Sequence, residues 1–218
     1  MATANNSARD RILEKVRAGL RVKVGSPPPA NISYEQIFEP VTDPIQRFLA
    51  EAKANLMECI VTSDSASSAQ QLAGVLATLP DGELYVQDAP SLRRLIEGAN
   101  PKRPVHWSTE GAPAESSQAT ISLAEALVAQ TGSIFVTAAC GGRGVSIVAP
   151  CHVVFATTDQ IVPDLQVALR AAQQQGRLRH NSYACMISGS SRTADIEKIL
   201  VQGAHGPRRL VVILQESR

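Results

Sequence analysis

Between residues 43 and 110 the chain alternates short continuous apolar runs with longer stretches whose apolar residues recur at helical spacing. Short runs suit buried strands, and the helical repeat puts one apolar stripe on a helix. Asp43-Pro44 combines a capping acid with proline at a first helical position and leads into Ile45, Phe48 and Leu49, which predicts a helix start. Met57–Thr62 predicts a strand, Ser65–Leu79 a helix with Leu72, Val75, Leu76 and Leu79 on one side, and Glu83–Gln87 a second strand after the Pro80-Asp81-Gly82 turn. Ser91–Ala99 then predicts a helix and Val105–Ser108 a third strand. This β-α-β-α-β alternation implies parallel strands joined by crossover helices.

The pattern changes in the middle. Gly111–Gln118 is a small, polar loop, after which Leu123–Ala129 and Ser133–Thr137 flank Gln130-Thr131-Gly132 as a hairpin or strand–turn–strand corner. The turn Gly141-Gly142-Arg143-Gly144 leads through Val145–Val148 to Pro150 and the strand Val153–Thr157. Pro163–Gln175 predicts a helix and Tyr183–Ser188 a strand. A helix from Thr193 to about Val201 and the closing strand Leu210–Leu214 complete the chain. Before residue 43, Ser7 can cap a helix carrying Ile12, Leu13, Val16 and Leu20. Pro27, Pro28 and Pro29 then make Val22–Thr42 an extended arm, with Tyr34, Ile37 and Phe38 available to dock on the main body or on a partner. The organisation expected is an arm over 1–42 and an α/β domain over 43–218.

Composition narrows the function. A chain of 218 residues, 44% hydrophobic, supports one full-sized core. Lys plus Arg number 21 against 20 Asp plus Glu, and aromatic residues make up 4%, which argues against nucleic acid as a partner. The longest apolar run, around Gly144–Ala156, is interrupted by Ser146, Pro150 and His152, so no membrane span is expected. The polar amino terminus lacks a secretory signal, so a cytoplasmic location is expected. Cys59, Cys140, Cys151 and Cys185 show no C-x-x-C spacing, so they are expected to be free thiols, with no metal or iron–sulfur cluster held by this chain alone.

Three segments resemble the LUD domain of the lactate utilization protein C family. They are Ala129-Gln130-Thr131-Gly132-Ser133-Ile134; Pro150-Cys151-His152-Val153-Val154 with Gln160-Ile161-Val162-Pro163; and Ser190-Ser191-Arg192-Thr193-Ala194-Asp195-Ile196-Glu197 with Gly203-Ala204-His205-Gly206-Pro207. The motifs span about residues 119–214, and the looser β/α pattern extends the match back to about residue 43. The resemblance implies an α/β fold like that of ribose-5-phosphate isomerase and CoA-transferase domains, a mainly parallel sheet wrapped by helices. It also implies a place beside two partner subunits, at least one carrying iron–sulfur clusters, in oxidising L-lactate to pyruvate.

The motifs carry candidate chemistry. Ser190, Ser191, Arg192, Thr193 and Asp195 stand between a predicted strand and a predicted helix, where free N–H groups and a guanidinium suit an anion. Equally, Thr193 could cap that helix and Arg192 pair with Asp195. His205 lies in a turn, where it could meet a ligand, move a proton or simply bond a nearby carbonyl. Thr131 and Gly132 follow Gln130, which stands where related sequences usually carry glutamate; glutamine can hydrogen bond but cannot act as base or nucleophile. Arg143 among glycines could wrap an anion, or its loop could be a plain turn. Cys140 and Cys151 could meet a partner's cluster, though their reading as buried small hydrophobes is the simpler one. His152 reads as a packed residue, and Trp107 as a pocket cover or a half-buried core residue.

Two functions compete, alongside a pure interaction module built on the arm. One is a non-redox subunit of a lactate oxidation assembly that binds a small carboxylate or docks on iron–sulfur partners. The other is an independent isomerase- or acyl-CoA-transferase-like enzyme holding a phosphate or CoA-type anion, which Gln130 disfavours for want of a nucleophile.

Overall fold

The computed structural model describes residues 8–22, 40–111, 113–193, 201–203 and 205–217. The chain divides into two compact units, Met1–Glu39 and Pro40–Arg218. In the first, α1 (Ala8–Arg21) carries Ile12, Leu13, Val16 and Leu20 at helical spacing. The Ser7 cap and the arm's Pro27–Pro29, Tyr34, Ile37 and Phe38 lie outside the described residues.

The second unit opens with α2 (Pro44–Ala54), capped by the Asp43 carboxylate accepting the Gln46 N–H at 3.1 Å. There follow β1 (Glu58–Thr62), α3 (Ser65–Ala77), β2 (Leu84–Val86), α4 (Pro90–Ala99), β3 (Val105–Trp107) and β4 (Ala119–Leu123). Next come β5 (Ala126–Val128), β6 (Ser133–Thr137), β7 (Cys151–Thr157), β8 (Ile161–Val162), α5 (Leu165–Gln174) and the short α6 (Arg177–His180). The described elements close with β9 (Ala184–Ile187), β10 (Arg192–Thr193), β11 (Val201–Gln202) and β12 (Arg209–Gln215).

Six strands form a wholly parallel sheet in the order β1-β12-β7-β4-β2-β3. The helices α3 and α4 cover one face, burying Leu72, Leu92, Ile121, Val153 and Ile213 in one core. On the other face, α2 and a second sheet bury Phe48, Leu127, Ile134, Val154 and Leu214. Because β7 and β12 are covered on both faces, they read as continuous apolar runs rather than alternating ones. Each fully buried Val, Leu or Ile side chain contributes roughly 1.5–3 kcal/mol.

The second sheet, ordered β8-β5-β6-β9, is mixed: β5 and β9 run antiparallel to β6, and β8 runs parallel to β5. The expected corner at Gln130-Thr131-Gly132 is therefore a hairpin, its turn a single 3-10 turn at Ala129–Thr131. Helix α5 packs on the outer face, where Ala168 and Ala172 meet Ala126, Val128 and Phe135. The wrapping of the parallel sheet is thus helical on one side and partly a β-layer on the other.

Two elements correct the sequence reading. First, β4 was absent from it, because Thr120 and Ser122 interrupt the apolar run; both are buried and satisfied internally, Thr120 Oγ1 donating to the Val145 carbonyl at 2.5 Å and Ser122 Oγ lying 2.9 Å from His152 Nε2. Second, the two ends of the expected helix, at Thr193 and Val201, are strand residues. Arg192–Thr193 and Val201–Gln202 pair as antiparallel strands, with 194–200 outside the described residues. At these two ends cross-strand pairing overrides a local pattern that also fits a helix, and the helix expected between them lies outside the described residues.

Candidate functional site

The carboxyl end of α2 is the hub of the motif residues. The Leu56 and Met57 N–H groups turn back to the carbonyls of Lys53 and Ala52, at 3.0 and 2.9 Å, closing the helix. Asn55 then reaches outward: its Nδ2 donates to the Thr131 carbonyl at 2.9 Å, and its own carbonyl accepts from Arg192 Nη2 at 3.4 Å. Two glycines let separate loops close on this helix end. A Cβ on Gly132 would stand 2.5 Å from the Ala52 nitrogen, and one on Gly189 2.2 Å from the Asn55 oxygen, and both glycines have left-handed φ, +58° and +98°.

A hydroxyl chain runs beside the hub. Thr131 Oγ1 lies 2.7 Å from Ser133 Oγ, which lies 2.6 Å from Ser188 Oγ. The loop then continues through buried Ser190 to Ser191. Ser191 donates its N–H to the Pro207 carbonyl at 2.9 Å, accepts the Gly203 N–H at 2.8 Å, and accepts the His205 N–H on its Oγ at 3.3 Å. Thr131, Gly132, Ser190, Ser191, Arg192 and His205 are therefore brought into one neighbourhood. It lies at the amino ends of β1, β7 and β12, since Asn55 precedes β1 and the Arg208 N–H donates to the carbonyl of Pro150. Arg192 and His205 are exposed there.

Other candidates stand apart. Arg143 donates from Nε to Ser182 Oγ at 3.2 Å. Ser182 precedes β9 and Ser188 follows it, which puts Arg143 at the far end of that strand. Thr193 sits in β10, and Asp195 lies outside the described residues, as does any Arg192–Asp195 pair. Gln130 uses its backbone N–H on the Pro163 carbonyl at 3.0 Å. Trp107 is half-buried with the Arg93 guanidinium 4.4 Å over its ring, closer to a stacked structural residue than to a pocket cover.

His152 is fully buried on β7, and burial pushes its pKa down to about 4. Its Nδ1 has no hydrogen-bond partner among the described residues. The four cysteines are free thiols, Cys140 and Cys151 buried, Cys59 and Cys185 half-buried. Among the described residues, no group of three or more His, Cys, Asp or Glu could hold a metal ion, and no helix is long and apolar enough to cross a membrane.

Sequence reasoning missed a second polar cluster, at the carboxyl end of β4. The Glu125 carboxylate accepts from Thr137 Oγ1 at 2.6 Å and pairs with Arg177 Nη1, while Arg177 Nε donates to Gln175 Oε1 at 2.8 Å. Gln160 ties this end together, donating to the Ala124 carbonyl and accepting the Thr157 N–H, both at 2.8 Å. The only sequence signal is an acid lodged between two apolar strands, Ala119–Leu123 and Ala126–Val128. Glu125 and Arg177 are 52 residues apart, so nothing in the chain pairs them before it folds.

Comparison with known proteins agrees with the motifs. Residues 111–215 match the family model described as the LUD domain. Lactate utilization protein C of Deinococcus radiodurans is 35% identical over 89 residues, covering 40% of this chain and 41% of that protein. Lactate utilization protein C 1 of Bacillus mycoides is 30% identical over 108 residues, covering 48% and 46%. The chain thus spans less than half the length of these two relatives. The protein of that name from a Geobacillus species is 27% identical over 177 residues, covering 74% and 73%. Among solved structures, a DUF162-family protein from Deinococcus radiodurans shares the fold at a TM-score of 0.62 and 19% identity, over 79% of this chain and 96% of that one. With the motifs, the family model and the fold in agreement, residues 111–215 match the LUD domain and the chain is similar to lactate utilization protein C.

Proposed function

We propose that this chain serves lactate utilization in the cytoplasm as a non-redox accessory subunit of an iron–sulfur L-lactate oxidation system, and that it takes a small carboxylate at Arg192. The clusters belong to its partner subunits. The observation that carries the reading is Arg192 itself, an exposed guanidinium anchored through one nitrogen to the Asn55 carbonyl, beside the Thr131–Ser133–Ser188 hydroxyl chain. A carbonyl fixes the direction of the guanidinium without neutralising its charge. The alternative enzyme of the isomerase or acyl-CoA-transferase kind would need a nucleophile at Gln130, which an amide does not supply.

The test is lactate-dependent dye reduction by the assembled system with and without this chain, and with Arg192→Ala. Omission is expected to abolish or strongly lower the activity. Arg192→Ala should weaken carboxylate binding by roughly 1.5–3 kcal/mol, the scale of a charge-assisted hydrogen bond. Full activity without the chain would remove the subunit role.

A further inference from the structure

Away from the Arg192 neighbourhood, a cavity of about 220 Å³ opens beside the carboxyl ends of β4 and β7, between the second sheet and α5. Open α/β sheets collect ligands outside the carboxyl ends of their strands. Phe135, Val162, Ala171 and Ala172 give the cavity an apolar wall, and Glu125, Gln175 and Arg177 give it polar groups. The Glu125 side chain is 7% exposed and that of Arg177 45%, so the carboxylate forms the interior end and the guanidinium the mouth. Asp159 also lines the cavity, but it is exposed and its Oδ1 accepts from Ser217 Oγ at 2.5 Å.

The hydrogen-bond inventory defines what fits. Arg177 spends Nε on Gln175 and Nη1 on Glu125, which leaves Nη2 without a partner among the described residues. Glu125 accepts from Thr137 and Arg177 and, as a carboxylate, has lone pairs to spare. The inner charges cancel, so the site offers a donor for an anionic oxygen, an acceptor for a hydroxyl or ammonium, and a small apolar wall.

We propose that this pocket binds a short-chain carboxylate bearing a hydrogen-bond donor on its second carbon, with the carboxylate on Arg177 and the donor on Glu125. A 2-hydroxy acid and a 2-amino acid share that chemistry. The preference for the hydroxy acid rests on the proposed role in lactate utilization, whereas the pocket rests on geometry.

The experiment is calorimetric titration of the full chain with L-lactate, L-alanine and propionate, repeated on Arg177→Gln, Ala171→Leu and Arg192→Gln. L-lactate is expected to bind, and propionate, lacking the donor, to bind about tenfold more weakly, the effect of one lost hydrogen bond to a charged group. Arg177→Gln and Ala171→Leu, which respectively remove the guanidinium and narrow the cavity from a half-buried wall position, should each lower the lactate affinity of the pocket at least about tenfold, whereas Arg192→Gln should weaken only the separate carboxylate site at Arg192. Preference for L-alanine with the same variant pattern supports the pocket and cuts its tie to lactate. Affinity untouched by both pocket variants, or heat from none of the three probes, overturns the pocket. Loss confined to Arg192→Gln also overturns it, but leaves the proposed function standing.

Discussion

Gly132 meets the backbone of Ala52 so closely that a Cβ at position 132 would sit 2.5 Å from the Ala52 nitrogen, on a residue already at φ +58°. This contact seats the β5–β6 hairpin turn on α2. Gly132→Ala adds a backbone clash to a left-handed conformation that alanine disfavours, and should cost about 2–4 kcal/mol. Thermal or urea melts of the variant should show the loss, and an unchanged midpoint would mean that α2 moves aside freely.

His152 makes stability depend on acid. Its buried neutral ring titrates near 4 in the folded chain, against roughly 6.5 when unfolded. A folded value below the unfolded one means that the contribution is intact above pH ~6.5 and drains away as the pH falls towards 4, because only the unfolded chain takes up the proton. The limit of that loss is about 3 kcal/mol. Urea midpoints measured across this window should fall, and His152→Leu should flatten the profile.

Leu56 follows α2 with φ +58° and is 53% exposed. It occupies the position where helices usually place glycine. Leu56→Gly relieves the left-handed strain while giving up little buried surface, so a gain of up to about 1 kcal/mol is expected. A lower melting temperature would show that Leu56 packs more productively than its exposure implies.

Three of the thiols should be unreactive, and the chain should bind no iron. Burial pushes Cys59 up to about 12 and Cys140 and Cys151 up to about 11, whereas the thiolate is the form that attacks reagents and ligates metal. Anaerobically purified chain is expected to be colourless and without stoichiometric iron, and its Cys59, Cys140 and Cys151 to react with a disulfide reagent much more slowly than in the unfolded chain. Cluster absorbance in the visible would contradict this.

Much of the first half was legible before folding was considered. The Asp43-Pro44 cap, the strand at Glu58–Thr62 and the apolar stripe of Leu72, Val75 and Leu76 are local signals, each fixed by neighbours in sequence. Gly132 of the first motif was also legible, but not the reason for it. That Gly132 and Gly189 both exist to admit the end of α2 could not be read from their own segments.

By itself, then, the sequence determined the alternation of helices and strands, the parallel sheet and the family resemblance, because apolar periodicity, caps and short motifs are written within a few residues of one another. Tertiary structure decided what depends on distant partners. It made β4 a central strand despite Thr120 and Ser122, since both hydroxyls are satisfied inside the core. It paired Arg192–Thr193 with Val201–Gln202 as antiparallel strands. It also joined Glu125 to Arg177 beside a cavity, a pairing of opposite charges that only the packing of α5 against the second sheet, with α6 following it, creates. Periodicity reports which face of an element is buried, but not which polar groups meet once the faces close.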